Sequence, residues 1–337
     1  MGSGVPYCCN SDGMTLRILI VAALVANVFV FASRCSKPLP RAQLLESRVQ
    51  FHTVLNGVSF KPNGLALEPP SDIYNLVRYP SPVGDLAAYV SPEPLDGVKR
   101  PAVIWAHGGF GGLREYAWTP EDDQSPRAFL NKDFVVMVPS WRRENDNPGS
   151  FEFFLGEVDD MLAAVQYLRS LRYVDSDRIY IVGYSIGGTL ALLAAESTNT
   201  FRAAFSIGAA TDVARLLADG EGDGLVPFDA RDEKEIAIRN PIRFTESIQV
   251  PTFYFEGGNS WEAPDACKME LVARKAGRPF HSVIVPGAHH WSILQPASAL
   301  IAEKIRGDTG PECRIQISVE EARAVYNGMS QPQQVFD

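Results

Sequence analysis

Histidine and cysteine are scarce, five of each in 337 residues, and the scarcity of each removes a class of protein. No CxxC pair and no metal-type spacing of Cys and His occurs, so neither a structural zinc site nor a thioredoxin-like redox pair is expected. Cys8, Cys9 and Cys35 crowd the N-terminal region, leaving Cys267 and Cys313 either to form one disulfide or to stay as buried thiols. Excess positive charge is missing as well. With 31 Lys and Arg against 40 Asp and Glu, the net charge is -9, the wrong sign for a chain whose partner is a polyanion, because counterion release needs clustered cations. Nucleic acid is therefore set aside. Also lacking is an apolar run of the roughly 20 residues that a membrane-spanning helix requires. The stretch ILIVAALVANVFVFA, residues 18–32, is shorter. It fits a signal-peptide core cleaved after Ala32, whereas Arg34, Lys37 and Arg41 beyond it fit an uncleaved anchor. Residues 1–40 are read as a signal peptide or membrane anchor, with membrane contact through 18–32 in the second case. The rest of the chain would then be secreted, periplasmic or membrane-anchored.

What is present is a composition for a large core, 46% hydrophobic and 21% charged. From Ile73 onward, short apolar runs alternate with helical patterns. Residues 85–91 (DLAAYVS), 101–107 (PAVIWAH), 133–141 (DFVVMVPSW), 178–183 (RIYIVG), 202–207, 251–255 and 281–285 read as strands. Helices are predicted over about 156–171, with Val158, Met161, Leu162, Val165 and Leu168 on one face, and over 186–196 and 264–276. Continuous apolar strands between helices imply a mostly parallel sheet covered on both faces. The fold class is α/β. Residues 41–310 form the body, 216–241 read as an insertion able to act as a lid, and 311–337 form an extension with one strand-like run, CRIQIS, and one short helix.

Chemistry enters at Gly183-Tyr184-Ser185-Ile186-Gly187, which follows a strand directly and opens a helix. A serine at such a bend has its hydroxyl exposed in a strained turn, with small residues on both sides and a helix N-terminus beneath. Upstream, PAVIWA runs into His107-Gly108-Gly109-Phe110-Gly111-Gly112, where glycines leave backbone N–H groups open to an approaching oxyanion. The expected donors are the N–H of Ile186 and that of Gly109 or Phe110. His107 is read as a structural hydrogen-bonding residue of that loop.

Taken in order, PAVIWAHGG, PSWRREN, GEVDDMLAAVQYLRSLRYVDSDRIYIVGYSIGG, NPIRFTESIQVPTFYFEGG and VPGAHHWSIL make residues 70–308 resemble the α/β-hydrolase domain of the prolyl oligopeptidase and dienelactone hydrolase group. The resemblance implies an α/β-hydrolase fold and a serine hydrolase with a Ser, acid, His triad in that chain order. It departs from the peptidases at Ile186, where their elbow commonly has tyrosine, and in having no room for their β-propeller. The group's Pro-Gly-Ala-x-His pattern makes His290 the base and His289 a loop residue. The acid is expected in the loop after the penultimate strand, where Ser260 occupies the usual aspartate position. Glu262 is the first candidate, followed by Asp265, which also suits a helix N-terminus, and by Asp212 after the preceding strand. Glu256, at the strand end, is expected to point away from the site, and Arg142 to be within reach of substrate.

The resulting expectation is a serine hydrolase acting on a small-molecule ester or a short peptide or amide through an acyl-enzyme, with no metal and no cofactor. A catalytically silent hydrolase fold used for binding or scaffolding is the competing class, motivated by the displaced acid.

Overall fold

The computed structural model describes residues 43–57, 63–220, 224 and 226–330. The expectations for residues 1–40 lie outside the described residues. In chain order the elements are α1 (Gln43–Gln50), β1 (Asn75–Ser81), β2 (Gly84–Val90), β3 (Arg100–Ala106), β4 (Val135–Pro139), α2 (Gly156–Ser170), β5 (Val174–Tyr184), α3 (Ile186–Ser197), β6 (Ala203–Ile207), α4 (Val213–Ala218), α5 (Glu233–Ala237), α6 (Pro241–Phe244), β7 (Thr252–Gly257), α7 (Ala263–Ala276), β8 (Phe280–Val285), α8 (Leu294–Gly307) and α9 (Val319–Ser330). All eight strands form one sheet in the order β1-β2-β4-β3-β5-β6-β7-β8. The pairs β1–β2 and β2–β4 are antiparallel. Every other pairing is parallel, so the C-terminal ends of β3 to β8 open along one edge, where binding clefts of α/β sheets form.

The unbroken apolar strands are explained by burial on both faces. Successive side chains of a strand point in opposite directions. In β3, Ala102, Ile104 and Ala106 enter one core, which also holds Val158, Met161, Val165 and Leu168 of α2 and Leu190 of α3. Val103 and Trp105 enter the other, with Leu300 and Ile301 of α8 and Ala322 of α9. Helices therefore cover both faces, as the sequence pattern implied, and this is the α/β-hydrolase arrangement. Helix α7 begins with Pro264 in its first turn and ends at Gly277, which adopts the left-handed conformation, φ 65.

Three local expectations are corrected. CRIQIS, 313–318, is not a strand: Ile315 and Ile317 still pack into the second core, so the apolar alternation reflects burial without strand pairing. Cys313 carries a free thiol and is not bridged to Cys267. Arg142 is held inside the scaffold by Asp160 at 3.0 Å and Glu152 at 2.7 Å and does not line the cavity that Ser185 opens into. Among the described residues no helix is long and apolar enough to cross a membrane.

Candidate active site

The sheet's C-terminal edge gathers the residues that the sequence singles out. Ser185 sits between β5 and α3 with φ 52 and ψ -116, a conformation that costs a non-glycine residue on the order of 1–3 kcal/mol. The surroundings hold it there. Its N–H donates to the carbonyl of Ile207 on β6 at 2.8 Å, and its carbonyl accepts from Thr189 N at 3.1 Å. A Cβ on Gly183 would collide with the Gly187 backbone, and one on Gly187 would collide with the carbonyls of Ala106 and His107. The two glycines of the motif are there because strand, turn and oxyanion loop pass at backbone contact.

Ser185, Ile186 and Phe110 line one cavity of about 330 Å³ together with His290 and Glu262, and Phe153, Leu216, Trp261 and Trp291 complete its wall. Leu216 comes from α4, in the segment between β6 and β7. Gly109 adopts φ 66 in the loop after β3. Ile186 is the first residue of α3, so its N–H belongs to the helix terminus that lacks intrahelical acceptors.

His290 arrives on the loop after β8. That loop is pinned to the end of β7: Gly258 N donates to Val285 O at 2.8 Å and Asn259 N to Ala288 O at 3.1 Å. A side chain on Gly257 would strike the Ala288 backbone. From α9, Tyr326 donates to Gly287 O at 3.2 Å, so the C-terminal extension supports the histidine loop, a role that the sequence does not disclose. The imidazole lies against Tyr184, ring centroids 5.2 Å apart, and over Gly208, where a Cβ would come within 2.8 Å of Nδ1. His289 is exposed, its Nδ1 accepting from Ser292 N at 3.4 Å. His107 is buried, with Nε2 3.2 Å from Glu144 and its ring stacked on Trp141 at 4.1 Å.

Glu256 does not point away from the site. Its Oε2 stands 3.9 Å from His290 Nδ1, within ion-pair range and beyond a hydrogen bond, and the carboxylate is fully buried. Gly257 N donates to its Oε1 at 2.7 Å, and the Tyr254 hydroxyl lies 3.4 Å from Oε2. Alternation places Glu256 on the face opposite Phe253 and Phe255. The histidine loop then folds back across the strand end, which strand periodicity alone does not show. A solitary carboxylate in the apolar run FYFEGG was the available signal, since a buried charge is costly unless it has a partner.

Glu262 is also brought to the site. It accepts from the Ser260 hydroxyl, and donor atoms of Glu256, Glu262 and His290 all lie within 4.8 Å of one another, a set that could equally hold a divalent cation. The other two acid candidates are committed elsewhere. Asp265 pairs with Arg215 and with Lys268, the latter at 2.7 Å. Asp212 caps α4 and accepts from Asn240 Nδ2 at 2.9 Å.

Burial disfavours the imidazolium of His290, but Glu256 and then Glu262 favour it more strongly, so its pKa is raised above the ordinary value of 6.5. Glu262 is itself raised, first by burial and then by the Glu256 charge, against the lowering effects of Ser260 and His290. Burial, with Glu256, Asp123 and Glu262 nearby, holds the Tyr184 phenol protonated far into the alkaline range.

Several known proteins are similar to this chain in sequence or fold. Residues 143–304, just under half of the chain, match the prolyl oligopeptidase family. The quorum-quenching protein AidA of Acinetobacter baumannii is 30% identical over 117 residues, 34% of this chain and 37% of its own length. Dipeptidyl-peptidase 5 of Porphyromonas gingivalis is 26% identical over 234 residues, 63% of this chain and 33% of its own. The chain thus spans about a third of the length of these curated relatives. Among solved structures, the acylaminoacyl peptidase of Pyrococcus horikoshii superposes with a TM-score of 0.61 at 18% identity, over 74% of this chain and 44% of that one. A hyperthermophilic esterase from the archaeon Pyrobaculum calidifontis gives 0.55 at 17% identity, over 79% of this chain and 89% of that one. The chain has the α/β-hydrolase fold, and its residues 143–304 match the prolyl oligopeptidase family.

Proposed function

We propose that the chain hydrolyses an ester or a small amide or peptide bond through an acyl-enzyme. Ser185 Oγ attacks the acyl carbonyl while His290 takes its proton. The tetrahedral intermediate collapses as His290 returns that proton to the leaving group. Water, deprotonated by the same histidine, then releases the acid and regenerates Ser185. The N–H groups of Ile186 and of Gly109 or Phe110 receive the oxyanion. Glu256 is the triad acid in this reading, since it faces Nδ1 and leaves Nε2 to the serine, and Glu262 is a second carboxylate in the cavity wall. The observation that carries the proposal is a strained serine opening into the same cavity as a histidine whose other ring nitrogen is backed by a buried carboxylate.

The cavity suits a small substrate, because about 330 Å³ is at the lower end of the usual range for ligand sites. Its aromatic and aliphatic wall favours an apolar acyl or leaving group. The relatives include proteins named as peptidases and one named as an esterase, so p-nitrophenyl esters and aminoacyl p-nitroanilides are the assay pair. Turnover of either should fall by at least about 1,000-fold in Ser185→Ala. Glu256→Gln should cost about 100-fold or more, and Glu262→Gln less than about 10-fold. The reverse order for the two glutamates would transfer the acid role to Glu262. Undiminished turnover in Ser185→Ala would remove the proposal.

A further inference from the structure

The connection after β4 is polar, buried and strained at once. Ser140, Glu144, Asn145 and Asn147 are at most 5% exposed. Arg143, Asn145 and Asp146 hold φ values of 73, 49 and 56, left-handed conformations that persist in non-glycine residues only where the surroundings enforce them. Two of them, Glu144 and Asn145, touch the glycine-rich loop 107–113, one at each end. At its start, Glu144 Oε2 stands 3.2 Å from His107 Nε2. At its far end, Leu113 N donates to Asn145 Oδ1 at 2.7 Å, and the same oxygen accepts from the Ser140 hydroxyl at 2.9 Å. Asn145 N donates in turn to Asn63 Oδ1 at 2.6 Å, and Asn63 Nδ2 donates to the carbonyl of Gly111. Gly112, φ 63, has no room for a side chain because Asn145 and Asn63 occupy the place of its Cβ. The span between the pins is 108–110, which contains both candidate oxyanion donors of this loop.

We infer that Asn145 is a positioning residue for the oxyanion hole: backed by Ser140 and Asn63, and with Glu144 at the opposite end, it fixes where the N–H groups of Gly109 and Phe110 point. The inference rests on the hydrolase reading of Ser185. An N–H aimed at a developing oxyanion helps the transition state more than the bound substrate, so loosening the loop should lower kcat and leave KM largely alone. The strained backbone at Asn145 has the same explanation: the left-handed conformation is what brings its side chain to Leu113 N.

Asn145→Gly separates the two roles of this residue, because glycine adopts φ 49 without strain but has no acceptor for Leu113 N. Fluorophosphonate labelling of the wild-type enzyme at Ser185 first establishes the underlying reading; failure to label overturns that reading and this inference with it. With labelling in hand, kcat and KM for p-nitrophenyl acetate are measured alongside the inhibition constant of a trifluoromethyl ketone, which binds serine as a tetrahedral oxyanion. The expected result is a folded Asn145→Gly enzyme with kcat lowered about 10- to 100-fold, KM within about 3-fold, and ketone binding weakened by the same factor as kcat. Wild-type kcat with wild-type ketone affinity overturns the inference, as does a kcat loss with ketone affinity intact. Should that variant not fold, Asn63→Ala, which releases the Gly111 carbonyl from a half-buried side chain, is measured in the same way, and unchanged kcat and ketone affinity there overturn it.

Discussion

At the scale of single residues, His290 is the side chain on which the account is most exposed to test. A general base must be neutral to accept the serine proton. Burial alone would favour the neutral ring, but the two carboxylates overcome it and hold the pKa above 6.5. The rate should therefore climb with pH through an apparent pKa above that of an ordinary histidine. Glu256→Gln removes the larger of the two raising influences, so the acid limb of the kcat/KM profile should move to lower pH while the plateau falls. An unmoved limb would mean that Glu256 does not act on the base. Ser185, Ile186 and the glycine loop were legible because their chemistry is written in consecutive residues. Glu256 was not, because what matters is a contact between a strand end and a loop about thirty positions later, and sequence alternation says which face a residue takes but not what crosses that face.

At the scale of elements, the strands between 84 and 285 and the helices α2, α3 and α7 fall close to where apolar periodicity puts them, since burial on both sides of a parallel sheet leaves few polar positions to confuse the pattern, whereas the short helices α4, α5 and α6 were not anticipated. The pattern fails where burial and pairing part company, as at Ile315 and Ile317, and where side-chain geometry makes the structure, as in the left-handed turn at 143–146. The elbow is the element with the least tolerance. Gly187→Ala would place a methyl group against the carbonyls of Ala106 and His107, backbone atoms fixed by β3 that cannot rotate away. Destabilisation of about 3 kcal/mol or more is expected, read as a lowered denaturation midpoint, together with loss of turnover. A variant as stable and active as wild type would show that the turn is looser than its contacts imply.

At the scale of the whole molecule, two buried carboxyls contribute to stability in the direction opposite to carboxyls such as Asp308 and Glu321, whose partners hold them below the ordinary range. Burial raises Glu157 to about 7, against the lowering influence of Arg142 and of backbone N–H groups. It raises Glu196 well above 4.5, and neither carboxyl oxygen of Glu196 has a hydrogen-bond partner among the described residues. Each holds its proton in the folded state to a higher pH than in the unfolded chain, so the contribution of each to stability falls as pH rises above about 4.5. His290 acts in the same direction: a raised pKa stabilises the fold below 6.5, and that contribution is lost as pH climbs through its folded value. Replacing Glu196 with methionine should raise Tm at pH 8 by about 2–4 °C, roughly 1 kcal/mol for a chain of this size, and by less at pH 4.5. An equal shift at both pH values would show that packing, not ionisation, is responsible.

In the proposed reaction Ser185 is a nucleophile activated by His290. Intact-mass and peptide mass spectrometry after fluorophosphonate treatment test it most directly. One adduct is expected, located on Ser185, absent in Ser185→Ala and formed at least about 100-fold more slowly in His290→Ala. A folded wild-type protein that takes up no label, or that takes it up equally fast without the histidine, would contradict it.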